Sequence, residues 1–228
     1  MPRQTLTKGQ VVTAAIALLD EAGLDGLNMR ALGTRLDSAA TAVYWHVENK
    51  DNLVRLAADE IWNEIELPDL DELGWREAAA ALAHGLWTMI SRHPWLAQAI
   101  GSHLLYGPGQ SRFDDHSLAV YEKAGFTGAD ADRAAATVHI YVLGNTLGMA
   151  ANISLTRRLS RGGVDPEKAM SETMAKAAKV AEPFPRLRTR IQSTAASEYF
   201  AAPEGSFEFG LTAILDGLEK QLGSRPAR

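Results

Sequence analysis

The chain has 228 residues, 46% of them hydrophobic, enough for one good core or two smaller ones, and its formal net charge is −5. The absence of cysteine excludes disulfides, thiolate metal sites and cysteine nucleophiles. Residues 1–55 balance Arg3, Lys8, Arg30, Arg35, Lys50 and Arg55 against Asp20, Glu21, Asp25, Asp37, Glu48 and Asp51, so the net negative charge falls on the remainder.

Helical spacing dominates and alternating strand patterns are scarce, which predicts an all-α fold. Thr7-Lys8-Gly9-Gln10 reads as a capping box. Val12, Ala15, Ile16 and Leu19 follow at helix spacing, and Gly23 is placed to end that first helix. Asn28 is the expected cap of a short second helix through Leu36. Ser38 is the expected cap of a third, running to about Val47. Glu48-Asn49 breaks it before a fourth begins near Lys50. Beyond this head, helices are predicted over 50–66, 75–92, 94–104, 111–124, 130–157, 166–181, 185–199 and 205–222. Pro68, Pro94, Gly107-Pro108-Gly109, Gly125, Gly162-Gly163 and Pro203 punctuate them. The weakly apolar segment 158–183 is expected to hold a mobile connection. The start, Met1-Pro2-Arg3-Gln4-Thr5, lacks a signal-peptide layout, and no apolar run approaches bilayer length. These features predict a soluble, cytoplasmic protein with no membrane partner.

The most informative stretch runs from Met29 to Lys50. Two short helices joined by Asp37-Ser38-Ala39-Ala40 have the spacing of a helix-turn-helix, whose second helix can enter a major groove. Ala39, Ala40 and Ala42 would let that helix approach base edges closely. Thr41 offers a hydroxyl and a methyl, and Arg30 can grip guanine in bidentate fashion. Tyr44, Trp45 and His46 carry polar tips suited to phosphates or base edges, and Lys50 places a cation at the next helix start. The same pattern is equally compatible with an ordinary packed trio of helices whose aromatics are partly buried. A module that senses a ligand or protein without reading DNA also fits the residues. A helical enzyme using His103, His116 and Asp114-Asp115 fits less well, because no nucleophile–base motif, phosphate loop or His-Glu-x-x-His run supports it.

The segment VYWHVENKDNL at 43–53 closely resembles the most recognisable run of the tetracycline-repressor (TetR) family. The last helix, FGLTAILDGLEKQL at 209–222, resembles the C-terminal helix of the tetracycline repressors. The resemblance implies an N-terminal three-helix bundle with a helix-turn-helix over residues 1–55. It implies a helical ligand-binding and dimerisation domain over 56–228. It further implies a non-enzymatic regulator, usually a repressor, that binds a palindromic operator as a homodimer and is released by a small organic effector. Carried over by position, base reading falls on Arg30, Ala40, Thr41 and His46, and phosphate contact on Tyr44, Trp45 and Lys50. The helices at 130–157 and 205–222 are assigned to a four-helix dimer interface, the latter with its stripe of Phe207, Leu211, Ile214, Leu215, Leu218 and Leu222. A mostly apolar effector pocket is expected among Trp62, Trp87, His103, Tyr106, Phe113, His116, His139, Asn145 and Met149. No metal or other cofactor is expected. Tetracycline with magnesium is disfavoured, because Glu66 stands where a ligating His would be needed and 139–150 offers Asn145, Leu147 and Gly148 in place of a carboxylate. The fourth helix, joining head to body, is expected to tilt when effector binds and so to change the separation of the recognition helices.

Overall fold

A computed structural model describes residues 6–191 and 205–224, and among them there is no strand. The first helix, α1 (Lys8–Gly26), opens on the predicted capping box: the Thr7 hydroxyl accepts from Gln10 N, and Gln10 Oε1 accepts from Thr7 N at 2.9 Å. Gly23 interrupts the helix where its end was expected. Its φ of +71° breaks the regular path, and a last turn continues to Gly26. Helix α2 (Met29–Arg35) is capped by Asn28, whose Oδ1 accepts from Ala31 N at 2.8 Å. The expected Ser38 cap is not used. Helix α3 (Ala40–Val47) starts from Ala39 without a side-chain cap, because the Ser38 N–H donates to Gly33 O at 2.9 Å and belongs to the turn. Helix α4 (Lys50–Ile61) is capped by Asn49 and runs into a single 3₁₀ turn, Trp62–Glu64.

The body comprises α5 (Trp75–Arg92), α6 (Trp95–Ile100), α7 (Pro108–Ala124), α8 (Ala129–Arg161), α9 (Pro166–Ala181), α10 (Pro185–Ile191) and α11 (Ser206–Gly223). The predicted helix over 94–104 stops at Ile100, where the following segment is drawn onto α4: Arg55 Nη1 donates to Tyr106 O at 3.0 Å and the guanidinium lies over the Tyr106 ring. Helix α7 begins earlier than expected, with Pro108 in its first turn and Asp59 Oδ1 accepting from Gln110 N at 3.1 Å. The segment 158–183 is not the connection expected. Helix α8 continues to Arg161, and α9 fills most of the rest. The predicted 185–199 helix is seen as α10; its residues beyond 191 lie outside the described residues.

One apolar core runs through head and body. Ala15, Leu19, Leu32, Val43, Val47, Leu53 and Val54 are fully buried in the head, and α4 carries the core onward through Ile61 and Trp62. Helix α4 is therefore continuous across position 55. The long α8 buries Ala131, Ala134, Val138, Val142, Thr146 and Ala150 at helix spacing against the rest of the body. The stripe on α11 is consumed within the chain: Leu211, Leu215 and Leu218 are buried, and Phe207, Ile214 and Leu222 pack on the same core. What α11 leaves outward is Phe209.

Candidate functional site

Two features stand out: the outer face of α2–α3 and a cavity in the body. The turn between α2 and α3 is tight. Gly33 is buried, and a Cβ there would lie 2.7 Å from Ser38 O and 3.2 Å from Ala40 N. Asp37 takes a positive φ, which its short polar side chain tolerates. This turn and the Val43–Val47 anchor, at i, i+4, fix which face of α3 points outward. Thr41 and Tyr44 are exposed, Ala40 and His46 are half-buried, and Trp45 keeps 88% of its surface in solvent. None of the three consecutive aromatics is buried in the core, although packing favoured burying at least one. Arg30 is exposed on α2. Lys50 sits at the first turn of α4, with its Nζ donating to Leu24 O at 3.1 Å, so this cation is held at the seam of α1 and α4. Arg35 is committed elsewhere, in a bidentate pair with Glu21 at 2.7 and 2.6 Å.

The cavity, about 770 Å³, lies among α5, α8 and the start of α11. His84, Trp87 and Thr88 line it from α5, Asn145, Met149, Asn152 and Ile153 from α8, and Phe207 and Glu208 from α11. Phe207 forms an aromatic wall with Trp87, His84 and Tyr141, at ring separations of 5.6, 5.4 and 5.9 Å. Tyr141 holds that wall, its hydroxyl lying 2.9 Å from both Ser206 O and Phe207 O, and it passes so close to Gly210 that any Cβ there would collide with it. Glu208 Oε1 faces the ring Nε2 of His84 in this wall, at 2.7 Å.

The residues singled out in the sequence divide by place. Trp87, Asn145 and Met149 line the cavity. Trp62, Phe113 and His139 form a packed aromatic cluster, with centroids 5.0 to 6.1 Å apart, beside a void of only about 10 Å³. Burial pushes the His139 imidazole below the usual histidine range, and Asp114 opposes this only in part, so the ring is mainly neutral at pH 7. His103 and Tyr106 lie on the segment held to α4, with His103 Nε2 3.6 Å from Asp51 and Tyr106 beneath Arg55. His116 Nε2 meets Pro68 O at 2.9 Å. His84, Thr88, Asn152 and Glu208 were not singled out: His84 and Glu208 are 124 positions apart, and no local spacing signals their meeting.

Residues 11–57, which span the helix-turn-helix, match the family model described as bacterial regulatory proteins, tetR family. Residues 67–222, which hold the cavity, match that of the tetracyclin repressor-like C-terminal domain. The chain belongs to the tetR family of bacterial regulatory proteins. It is thus a DNA-binding transcriptional regulator and not an enzyme. Regulators of this family bind operator DNA and small-molecule effectors. An HTH-type transcriptional regulator of Saccharopolyspora erythraea is 37% identical over 140 residues, spanning 61% of this chain and 59% of that protein. The class A tetracycline repressor from transposon 1721, in Escherichia coli, is 31% identical over 223 residues, covering 95% of this chain and 92% of that one. The crystal structure of ActR from Streptomyces coelicolor in complex with actinorhodin superposes with a TM-score of 0.75 at 24% identity, over 97% and 99% of the two chains, and so shares the fold. Among the described residues, no helix is long and apolar enough to cross a membrane, and no group of His, Asp and Glu is placed to hold a metal ion.

Proposed function

We propose that this regulator is a repressor which binds a palindromic operator as a homodimer in the cytoplasm and is released by a small organic effector. The observation that carries the reading is the outward face of α3, where a tryptophan 88% exposed stands beside exposed Tyr44 and Thr41 on a helix anchored from behind. A lone aromatic face of this kind costs solubility unless a partner covers it. In this reading residues 1–55 form the DNA-binding unit and 56–228 the sensing unit. Arg30, Thr41 and His46 read base edges, Ala40 permits the close approach, and Tyr44, Trp45 and Lys50 meet phosphates. Ile140 and Leu147 on α8 and Phe209 on α11, all exposed, supply the apolar face for a second copy. The effector occupies the cavity against Trp87, Asn145 and Met149, a mostly apolar setting suited to an organic molecule. Trp62, Phe113, His139, His103, Tyr106 and His116, also expected at the effector, do not line this cavity. The names of relatives agree with such a ligand: one is a tetracycline repressor, and another was crystallised with actinorhodin. Effector binding tilts α4 and changes the separation of the heads, and it shifts the equilibrium only by its difference in affinity for the two spacings.

Selection of bound duplexes from random DNA tests the reading. The expected product is an inverted repeat with half-site centres about 34 Å apart. Tyr44→Ala with Trp45→Ala should weaken binding to the selected duplex at least about tenfold, in line with the loss of phosphate contacts. No enrichment at low salt, or unchanged affinity in the double variant, would overturn it.

A further inference from the structure

Asp20, near the end of α1, gathers donors from three parts of the body. Its Oδ1 accepts from the indole Nε1 of Trp95 on α6 at 2.8 Å and faces Nδ1 of His93 at 2.7 Å. Its backbone carbonyl accepts from the Arg157 guanidinium on α8. The other ring nitrogen of His93 faces Glu64 Oε1, in the 3₁₀ turn after α4, at 3.0 Å, and Glu64 Oε2 accepts from Arg92 at 2.7 Å. The imidazole is only 3% exposed.

These contacts continue the cavity walls. Helix α5 lines the cavity with His84, Trp87 and Thr88, and His93 follows its last residue. Helix α8 lines it as far as Ile153, and Arg157 lies one turn further on. Two walls of one cavity thus end in donors to a single residue of the head. We propose that Asp20 is the positioning residue that couples the cavity to the DNA-binding head: α5 and α8 hold α1 through it, and a change in their separation moves α1. The functional consequence rests on the reading of the cavity as the effector site; the mechanical link does not.

The hold also has a charge requirement. A neutral imidazole donates from one nitrogen only, which would leave the other lone pair against a carboxylate; the imidazolium satisfies both. Burial opposes the charge, but the carboxylates of Asp20 and Glu64 outweigh it and keep His93 titrating above the ordinary value of 6.5. The charged groups facing this cluster are Asp20 from α1, Glu64 from the 3₁₀ turn, Arg92 from α5 and Arg157 from α8; α6 contributes the neutral Trp95. Because the folded pKa is raised, the stabilisation is complete below the unfolded value and is lost as pH rises through the folded one. The head is held below the ordinary histidine range and loosened as pH rises through the raised pKa of His93.

Amide hydrogen exchange of α1 in the full-length protein, without DNA or ligand, tests both parts. Between pH 6 and 8.5, after correction for intrinsic rates, wild-type protection should fall as the His93 imidazolium loses its proton. His93→Gln should be less protected at pH 6 and flat across the range. Thr88→Trp, which fills the cavity from α5, whose His93 holds the Asp20 carboxylate, should lower α1 protection several-fold in wild type and have little further effect in Asp20→Asn. If Asp20→Asn fails to fold, His93→Gln, which alters the α5 hold on Asp20, serves in its place. Equal pH slopes in wild type and His93→Gln, or additive effects of the cavity and Asp20 substitutions, would overturn the proposal. If the substitutions are coupled while no compound displaces DNA through the cavity, the link stands and the effector reading fails.

Discussion

Gly33 shows how a single atom shapes the DNA-facing surface. Its missing Cβ lets α2 close onto the Ser38 carbonyl and the Ala40 amide, and that closure sets the direction in which α3 leaves the turn. Both neighbours are backbone, so neither can swing away. Gly33→Ala should therefore destabilise the protein by about 1–3 kcal/mol, a typical cost of overpacking, and weaken DNA binding by moving α3. Urea denaturation with a DNA titration measures both; an unchanged midpoint would mean that the turn is looser than it looks. Side-chain roles were less legible at this scale. Arg35 and Arg30 are equally basic in sequence, but only contact with Glu21 separates the committed one from the other. Trp45 and Val47 are both apolar and two residues apart, and the pitch of α3 sends one into solvent and the other into the core.

At the scale of elements, caps were readable and ends set by distant contacts were not. Thr7 and Asn28 bind amides three residues ahead, as their spacing predicts; Asn49 does the same where the sequence showed only a break, and the expected Ser38 cap is not used. Asn49 is the more consequential, because it stabilises the first turn of α4, where Lys50 sits. Asn49→Ala should cost about 1 kcal/mol, as should Asn28→Ala. The Asn49 variant should lose more DNA affinity for the same loss of stability. Paired thermal melts and binding isotherms check this, and equal losses of affinity would argue against a role for the α4 start at the duplex. The end of α6 at Ile100 and the start of α7 at Pro108 depend on Arg55 and Asp59 of α4, about fifty residues earlier, and no window of sequence contains both partners.

At the scale of the whole molecule, the apolar stripe of α11 packs inside the chain, so the proposed dimer rests on what remains outside. Ile140, Leu147 and Phe209 are 67%, 55% and 81% exposed. Ile140→Asp with Phe209→Asp should leave the folded chain nearly as stable, since neither side chain is part of the core, and should convert a dimer to a monomer by light scattering. A dimer that persists would place the interface elsewhere. The monomer should also bind the selected duplex far more weakly, because one head contacts a single half-site. Binding should fall steeply with salt in either case, as expected for phosphate contacts made by a chain of net charge −5.

The sequence by itself determined the helical class, the helix-turn-helix and the family. These rest on caps, on i, i+4 spacing and on one short contiguous run, all of which are local. Only the tertiary structure decided where the cavity lies, which face of α11 is free, and that Asp20 and Glu64 meet on the buried His93. Helix periodicity tells which residues turn inward but not which distant helix they meet. His84 and Glu208, like Asp20 and His93, acquire their roles only when packing brings separate helices together.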